Sequence, residues 1–357
     1  MIVRRALNAT LGLIALLGLS TGSASARAAV PASFWGVNPV TVPTDSQIQL
    51  ISSGGVGSIR VPFNWSTIQP VAGAPPDWTA FDALVEAPAR YHLQVLPVIW
   101  GSPSWAARRP ADLPVAGLAA WNLFLRQVVM RYGPSGSFWS EHSATSPDPL
   151  PYDPIRLWQI WNEPNFFYFA NPVNAAAYAK LVVSSHATIK AVDPHARLLL
   201  GGMFATPKNP PPRAYSAASF LDQLYRRKGV KASFDGVALH PYARDAASLA
   251  PAIETVRATM KAHGDAGTGL WITEIGWGSA PKGPFQKGSA GQARELGRAF
   301  SLFKANRGRW RLEGVDWWSL TDDPSATACN FCGHTGLFTA GFQPKPAWSR
   351  FAALARR

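Results

Sequence analysis

Cysteine is nearly missing from this chain: Cys329 and Cys332 are the only two in 357 residues. Neither is placed to carry a lipid anchor. With His334 beside them they offer three zinc ligands, one short of a structural site. A redox Cys-x-x-Cys opens a helix of a thioredoxin-like unit, and no such unit surrounds this pair. In an exported protein, two cysteines this close favour a local disulfide. Acidic residues are also scarce, with 21 Asp plus Glu against 34 Lys plus Arg, a formal charge of +13. The basic residues are scattered, and the densest groups, Arg108-Arg109 and Tyr225-Arg226-Arg227-Lys228, are short. No nucleic-acid motif accompanies them. A solvated basic surface is the default expectation, with attraction to an anionic cell wall or acidic polysaccharide as the alternative.

Long hydrophobic runs are lacking too. Leu11–Leu19 is apolar, but a bilayer span needs about 20 such residues. Arg4 and Arg5 precede this run, and Ala24-Ser25-Ala26 follows it, with Ala26-Arg27-Ala28 as an alternative cleavage end. This is the order of a secretory signal, so residues 1–26 are expected to be removed and the product to be secreted, free of the membrane. Internal repeats, low-complexity linkers and charge blocks are absent after the signal. Residues 30–357 are expected to form one catalytic domain, acting as a monomer.

What is present is an alternation of short β-rich runs with Ala-rich amphipathic stretches, the pattern of βα units around a parallel sheet. Eight strands can be placed: Phe34–Asn38, Ser58–Pro62, Leu93–Ile99, Arg156–Trp161, Arg197–Gly201, Gly236–His240, Leu270–Thr273 and Gly314–Ser319. Helices are expected at Trp78–Tyr91, Val115–Tyr132, Asn174–Val192, Ala217–Lys228, Leu249–His263, Ala290–Asn306 and Pro346–Ala355. Apolar content of 47% is ample for a buried core. The fold class is α/β, and the count fits a single-domain (β/α)8 TIM barrel. A doubly wound sheet needs a Gly-rich phosphate turn after its first strand, and Phe34-Trp35-Gly36-Val37-Asn38 supplies none.

In such a barrel, chemistry gathers where strands end at their C-termini. The ends read here are Arg60 on the second strand, Asn162-Glu163 on the fourth, His240-Pro241-Tyr242 on the sixth, Glu274 on the seventh and Trp317-Trp318 on the eighth. The Pro-rich stretch Gly133–Pro154 precedes the fourth strand, so it belongs at the opposite end and is expected to be structural, despite Trp139 and His142.

The segments Trp158-Gln159-Ile160-Trp161-Asn162-Glu163-Pro164-Asn165 and Trp271-Ile272-Thr273-Glu274-Ile275-Gly276-Trp277 resemble the acid/base and nucleophile strands of the clan A retaining glycoside hydrolases. Ser58-Ile59-Arg60-Val61-Pro62, His240-Pro241-Tyr242 and Trp318-Ser319-Leu320 resemble that clan's motifs on strands two, six and eight. The resemblance covers nearly the whole chain after the signal and lies closest to cellulase-like and β-xylosidase-like families. It implies hydrolysis of a β-linked oligo- or polysaccharide with Glu163 as general acid/base and Glu274 as nucleophile, the two carboxyl groups about 5–5.5 Å apart. Arg60 and Tyr242 would stabilise the Glu274 anion. Asn162 would donate to a sugar hydroxyl, and His240 would bind a hydroxyl or orient Glu274. Trp318 would stack beneath the sugar, with Trp317 as its alternate because strand side chains alternate. Asn38, Trp100 and Trp277 are further candidates for contact with the substrate, and Asn64, Trp65 and Phe204 also lie near strand ends. The chemistry requires no metal or organic cofactor. A transglycosylase would share every one of these residues. A sugar-binding barrel without activity would be expected to have lost one of the glutamates, and both are present.

Overall fold

A computed structural model describes residues 30–326, 329 and 331–356. The expected signal segment, 1–26, lies outside the described residues. From Ala32 onward the chain forms one compact unit. Its centre is a closed, all-parallel barrel in sequential order, β1 to β8. The strands are β1 (Trp35–Asn38), β2 (Ser58–Asn64), β3 (Gln94–Trp100), β4 (Leu157–Asn162), β5 (Arg197–Phe204), β6 (Gly236–His240), β7 (Gly269–Ile275) and β8 (Leu312–Trp318). β8 returns to β1 through Trp35↔Val315 to Asn38↔Trp318, which closes the ring. All eight strands fall where the alternation predicts, within a few residues.

The helices obey the same patterning. Thr79–Arg90 buries Phe81, Leu84, Val85 and Ala89 against the barrel, the spacing of one helical face. The patterning does not mark the helix Asp45–Ser53. Only Ile48 and Ile51 are buried in it, too few to show a period. What starts it is local: the Thr44 hydroxyl accepts from Gln47 N while the Gln47 side chain accepts from Thr44 N, a reciprocal capping box.

Inside the barrel, Leu96, Leu199, Ala238 and Trp271 form a buried apolar cluster joined by Leu157. This packed layer fills part of the barrel interior, and in this architecture chemistry gathers at the C-terminal mouth. The stretch before β4 packs against the helix Leu118–Tyr132. It holds the short helix Ser137–Glu141, and Trp139 is buried with its indole N–H donating to Tyr132 O. Arg131 ties this helix down by pairing with both Asp82 and Glu141.

Candidate active site

Arg60, at only 4% exposure, is the hub of the mouth. Its Nη1 donates to Glu274 Oε1 and to Asn38 Oδ1, each at 2.7 Å. Its Nη2 donates to Asn162 Oδ1 at 2.8 Å and its Nε to Gln159 Oε1 at 3.0 Å. One guanidinium thus joins β1, β2, β4 and β7. Tyr242 O–H donates to the other Glu274 oxygen at 3.0 Å. Glu274 is therefore held from both oxygens, with its geometry set before any ligand arrives.

Glu163 sits where β4 breaks its alternation. Trp161 and Glu163 both have positive φ, the left-handed backbone region. For a residue with a side chain that conformation costs roughly 1–2 kcal/mol. Hydrogen bonds hold the distortion: Trp161 Nε1 to Phe169 O at 2.5 Å, Glu163 N to Gly202 O at 3.1 Å, and Tyr178 O–H to Ile160 O at 2.8 Å. The kink lets the adjacent residues Asn162 and Glu163 both serve the site, which strict alternation forbids.

His240 is fully buried, with Nδ1 2.8 Å from Glu163 Oε1 and Nε2 3.0 Å from Thr273 Oγ1. Both ring nitrogens are engaged, so it does not reach for a sugar hydroxyl. It lies farther from Glu274, 3.5 Å from Oε2, so Glu163 is the glutamate it orients. Gly202 makes room for it, since a Cβ there would overlap the imidazole.

The electrostatics separate the two glutamates. Burial holds Glu163 well above the ordinary carboxyl range, the Glu274 charge pushes it further, and Arg60 opposes both. Burial raises Glu274 as well, but Arg60 pulls it back by charge and hydrogen bond, and Tyr242 helps. Glu163 is thus the better proton holder and Glu274 the better anion. Burial, then Arg60, holds His240 well below its usual range, so the imidazole is neutral. Burial and the two glutamates keep Tyr242 a hydroxyl donor. Oxygens of Glu163 and Glu274 and a nitrogen of His240 all lie within 4.8 Å of one another. Such a trio has the make-up of a cation site. The Arg60 charge, already paired with Glu274, opposes a metal there by repulsion.

Several sequence candidates take other roles. Asn38 is a strut: its Oδ1 accepts from Arg60, and its Nδ2 donates to Thr273 O and Trp317 O, leaving nothing for a sugar. Trp277 is fully buried, with its N–H spent on Ala243 O, so it offers no stacking face. Trp317 is likewise buried, donating to Thr335 O, which leaves Trp318 as the partly open ring of the pair. Trp100 keeps open surface at the rim, edge-on to Trp161 and Phe169. Asn64 caps the short helix Trp65–Ile68, and Trp65 is buried beneath it. Asn162 Oδ1 is fixed by Arg60, while its Nδ2 meets no partner among the described residues. Cys329 and Cys332 are joined, S–S 2.02 Å. The loop they staple sets Phe331 against Tyr242 and Phe285.

Strand-end reading misses Gln159, Thr273 and Asp316. Each is a polar residue inside an apolar strand, and that interruption is the signal that could have found it. Asp316 on β8 accepts from Ser58 Oγ at 3.2 Å in a space kept open by Gly36, where a Cβ would strike both side chains. Burial, opposed by Arg60 and the Ser58 bond, raises its pKa to about 7. The folded chain therefore keeps a proton that the unfolded chain surrenders in the ordinary carboxylate range. This contribution stabilises at low pH and is lost as pH rises through about 7. Asp316→Asn is expected to flatten the decline of unfolding free energy across that interval, measured by urea denaturation. An unchanged slope would show that Asp316 ionises normally.

No family sequence profile matches this chain, and no curated protein matches it in sequence. Solved structures do. A GH39 enzyme from Xanthomonas axonopodis pv. citri superposes with a TM-score of 0.67 at 19% identity, over 92% of this chain and 68% of its own. A monomeric β-xylosidase from Caulobacter crescentus CB15 gives 0.64 at 19%, over 92% and 69%. A GH5_18 protein from Bifidobacterium longum subsp. infantis gives 0.66 at 15%, over 91% and 78%. The structural neighbours are glycoside hydrolases of the GH39 and GH5_18 groups, and at these identities the likeness is one of fold.

Proposed function

We propose that this chain is a secreted retaining glycoside hydrolase that cleaves β-linked sugars by double displacement, with Glu163 as acid/base and Glu274 as nucleophile. The observation that carries the reading is the approach of their carboxylate oxygens to within 4.8 Å. A nearest-oxygen approach this short accords with the carboxyl-group separation of about 5–5.5 Å in retaining pairs, where inverting pairs hold their carboxyl groups about 6.5–9.5 Å apart to admit a water. The GH39 and GH5_18 neighbours and the signal-like start support the same reading. No helix among the described residues is long and apolar enough to cross a membrane, which agrees with export, as does the disulfide. We take the protein to act as a monomer, as the Caulobacter β-xylosidase is described.

In the first step Glu163 gives its proton to the leaving oxygen while Glu274 attacks the anomeric carbon. Asn162 Nδ2 is free to donate to a sugar hydroxyl, and Trp318 supplies a ring beneath the sugar. Once Glu274 is esterified its charge is gone, and with it one of the influences that raise Glu163. Glu163, having given up its proton, then stays ionised and can accept one from the water that releases the sugar. With an aryl β-glycoside, proton NMR is expected to show the β-anomer as the first product, before mutarotation. First appearance of the α-anomer would overturn retention.

A further inference from the structure

The loops after β4 and β5 form a wall that this chemistry does not use. Asn165, fully buried, locks them together: its Nδ2 donates to Phe204 O and Tyr215 O, and its Oδ1 accepts from Phe204 N. Phe167 N donates to Arg213 O, and Phe166 bridges Ala214. The wall is therefore rigid without a ligand. Its rings run outward from the site: Tyr242 to Phe204 at 6.3 Å, Phe204 to Phe166 at 5.4 Å, and Phe166 to Tyr168 at 5.1 Å. At the outer end, Phe167 stacks on Tyr168 at 4.3 Å and carries the Arg213 guanidinium 3.9 Å from its ring centre.

That outer end is open. Tyr168 is 60% exposed and Arg213 is exposed. No carboxylate among the described residues pairs with Arg213, nor with Lys208, which is exposed on the same loop. An arginine fixed on an aromatic face keeps its planar donor fork free, and that fork matches a carboxylate or sulfate. Neutral sugars offer hydroxyls, which donate as well as accept. Arginine has no acceptor and gains least from them.

We propose that this wall is a leaving-group subsite for a glycan bearing anionic groups, with Tyr168 stacking a sugar ring and Arg213 pairing with its carboxylate or sulfate. The placement rests on Glu163 being the acid, because the loop that carries Tyr168 leaves β4 directly at Glu163, with Phe166 N donating to Glu163 O, and runs outward on the acid's side. The net charge of +13, of which only Arg4 and Arg5 fall in the expected signal, suits long-range attraction of such a polymer.

The test uses the full chain carrying Glu274→Gln, which binds without turnover. Affinity is measured for polymannuronate (β-linked, carboxylated), carrageenan (sulfated, with β-linked galactose) and neutral β-linked xylan. Adding Arg213→Gln is expected to weaken one acidic polymer roughly tenfold, the scale of one charged hydrogen-bonded contact, and to leave xylan unchanged. Which polymer responds identifies the anionic group. Arg298→Gln, at an exposed arginine on the outer helix Gly288–Trp310, is the control and is expected to have no effect. The proposal is overturned if neither acidic polymer binds, if Arg213→Gln changes nothing, or if Arg298→Gln weakens binding equally. Hydrolysis of small aryl β-glycosides by the unaltered protein is scored separately and judges the catalytic reading alone.

Discussion

Glu274→Ala is expected to lower kcat on a nitrophenyl β-glycoside by roughly 10⁵-fold or more, the scale of losing a covalent nucleophile. Sodium azide should restore part of it. The truncation leaves a small space beside the Arg60 and Tyr242 donors, which in the intact protein lie 2.7 Å and 3.0 Å from the Glu274 oxygens. An azide ion seated there attacks from the face Glu274 occupied, and its product is the inverted α-glycosyl azide. Glu163→Ala should behave in the opposite way. With a good leaving group the first step needs little acid, so the glycosyl-enzyme forms and then waits for a base. Azide attacks that intermediate and gives the β-glycosyl azide. The two configurations, read by NMR, assign the roles independently of rate. Swapped configurations would exchange the assignments. A Glu274→Ala enzyme with kcat close to that of the parent would remove Glu274 from the chemistry.

Those two residues were legible because they combine a motif with a place in a strand count. The barrel follows from a period that strands and helices impose on every segment, so its register emerges even where one helix, Asp45–Ser53, leaves too little pattern to see. The strand-end rule works less evenly for the rest of the site. It locates a residue along the strand but says nothing of depth. Trp277 and Asn38 satisfy the rule and are nevertheless sealed in, one beneath Ala243 and the other behind Arg60. Gln159 and Asp316 fail the rule, and Thr273, at the expected end of its strand, is passed over for its neighbour Glu274, yet the three hold Arg60, Ser58 and His240. A buried polar side chain needs a partner, so a lone polar residue in an apolar strand announces a network that the motif does not name. The left-handed turn at Trp161 is less readable still. It depends on contacts with Phe169 and, through Ile160, with Tyr178, which no local pattern encodes.

Replacing Arg60 tests whether that network acts by charge or by position. Arg60→Met keeps much of the length and apolar packing but leaves Glu274 buried with Tyr242 as its remaining donor. The interaction that lowers Glu274 is lost, so its pKa, already raised by burial, must rise further. In the proposed mechanism Glu274 attacks as an anion, so the acid limb of kcat/KM should move to higher pH, and the plateau should fall by about 10³-fold. Stability should follow the same sign. A carboxyl whose folded pKa lies above its unfolded one stabilises at low pH and less as pH rises, so the deficit of the variant grows toward high pH. There it approaches about 3–5 kcal/mol, the cost of a buried charge without its partner. Arg60→Lys separates the two causes. An ammonium restores charge near Glu274 but cannot reach Asn38, Gln159 and Asn162 at once. It should return the acid limb most of the way while leaving kcat low. If Lys and Met shift the limb equally, charge is not what keeps Glu274 ionised, and the Arg60 hydrogen bond to Oε1 does so instead; if neither shifts it, the Tyr242 hydrogen bond carries that duty alone.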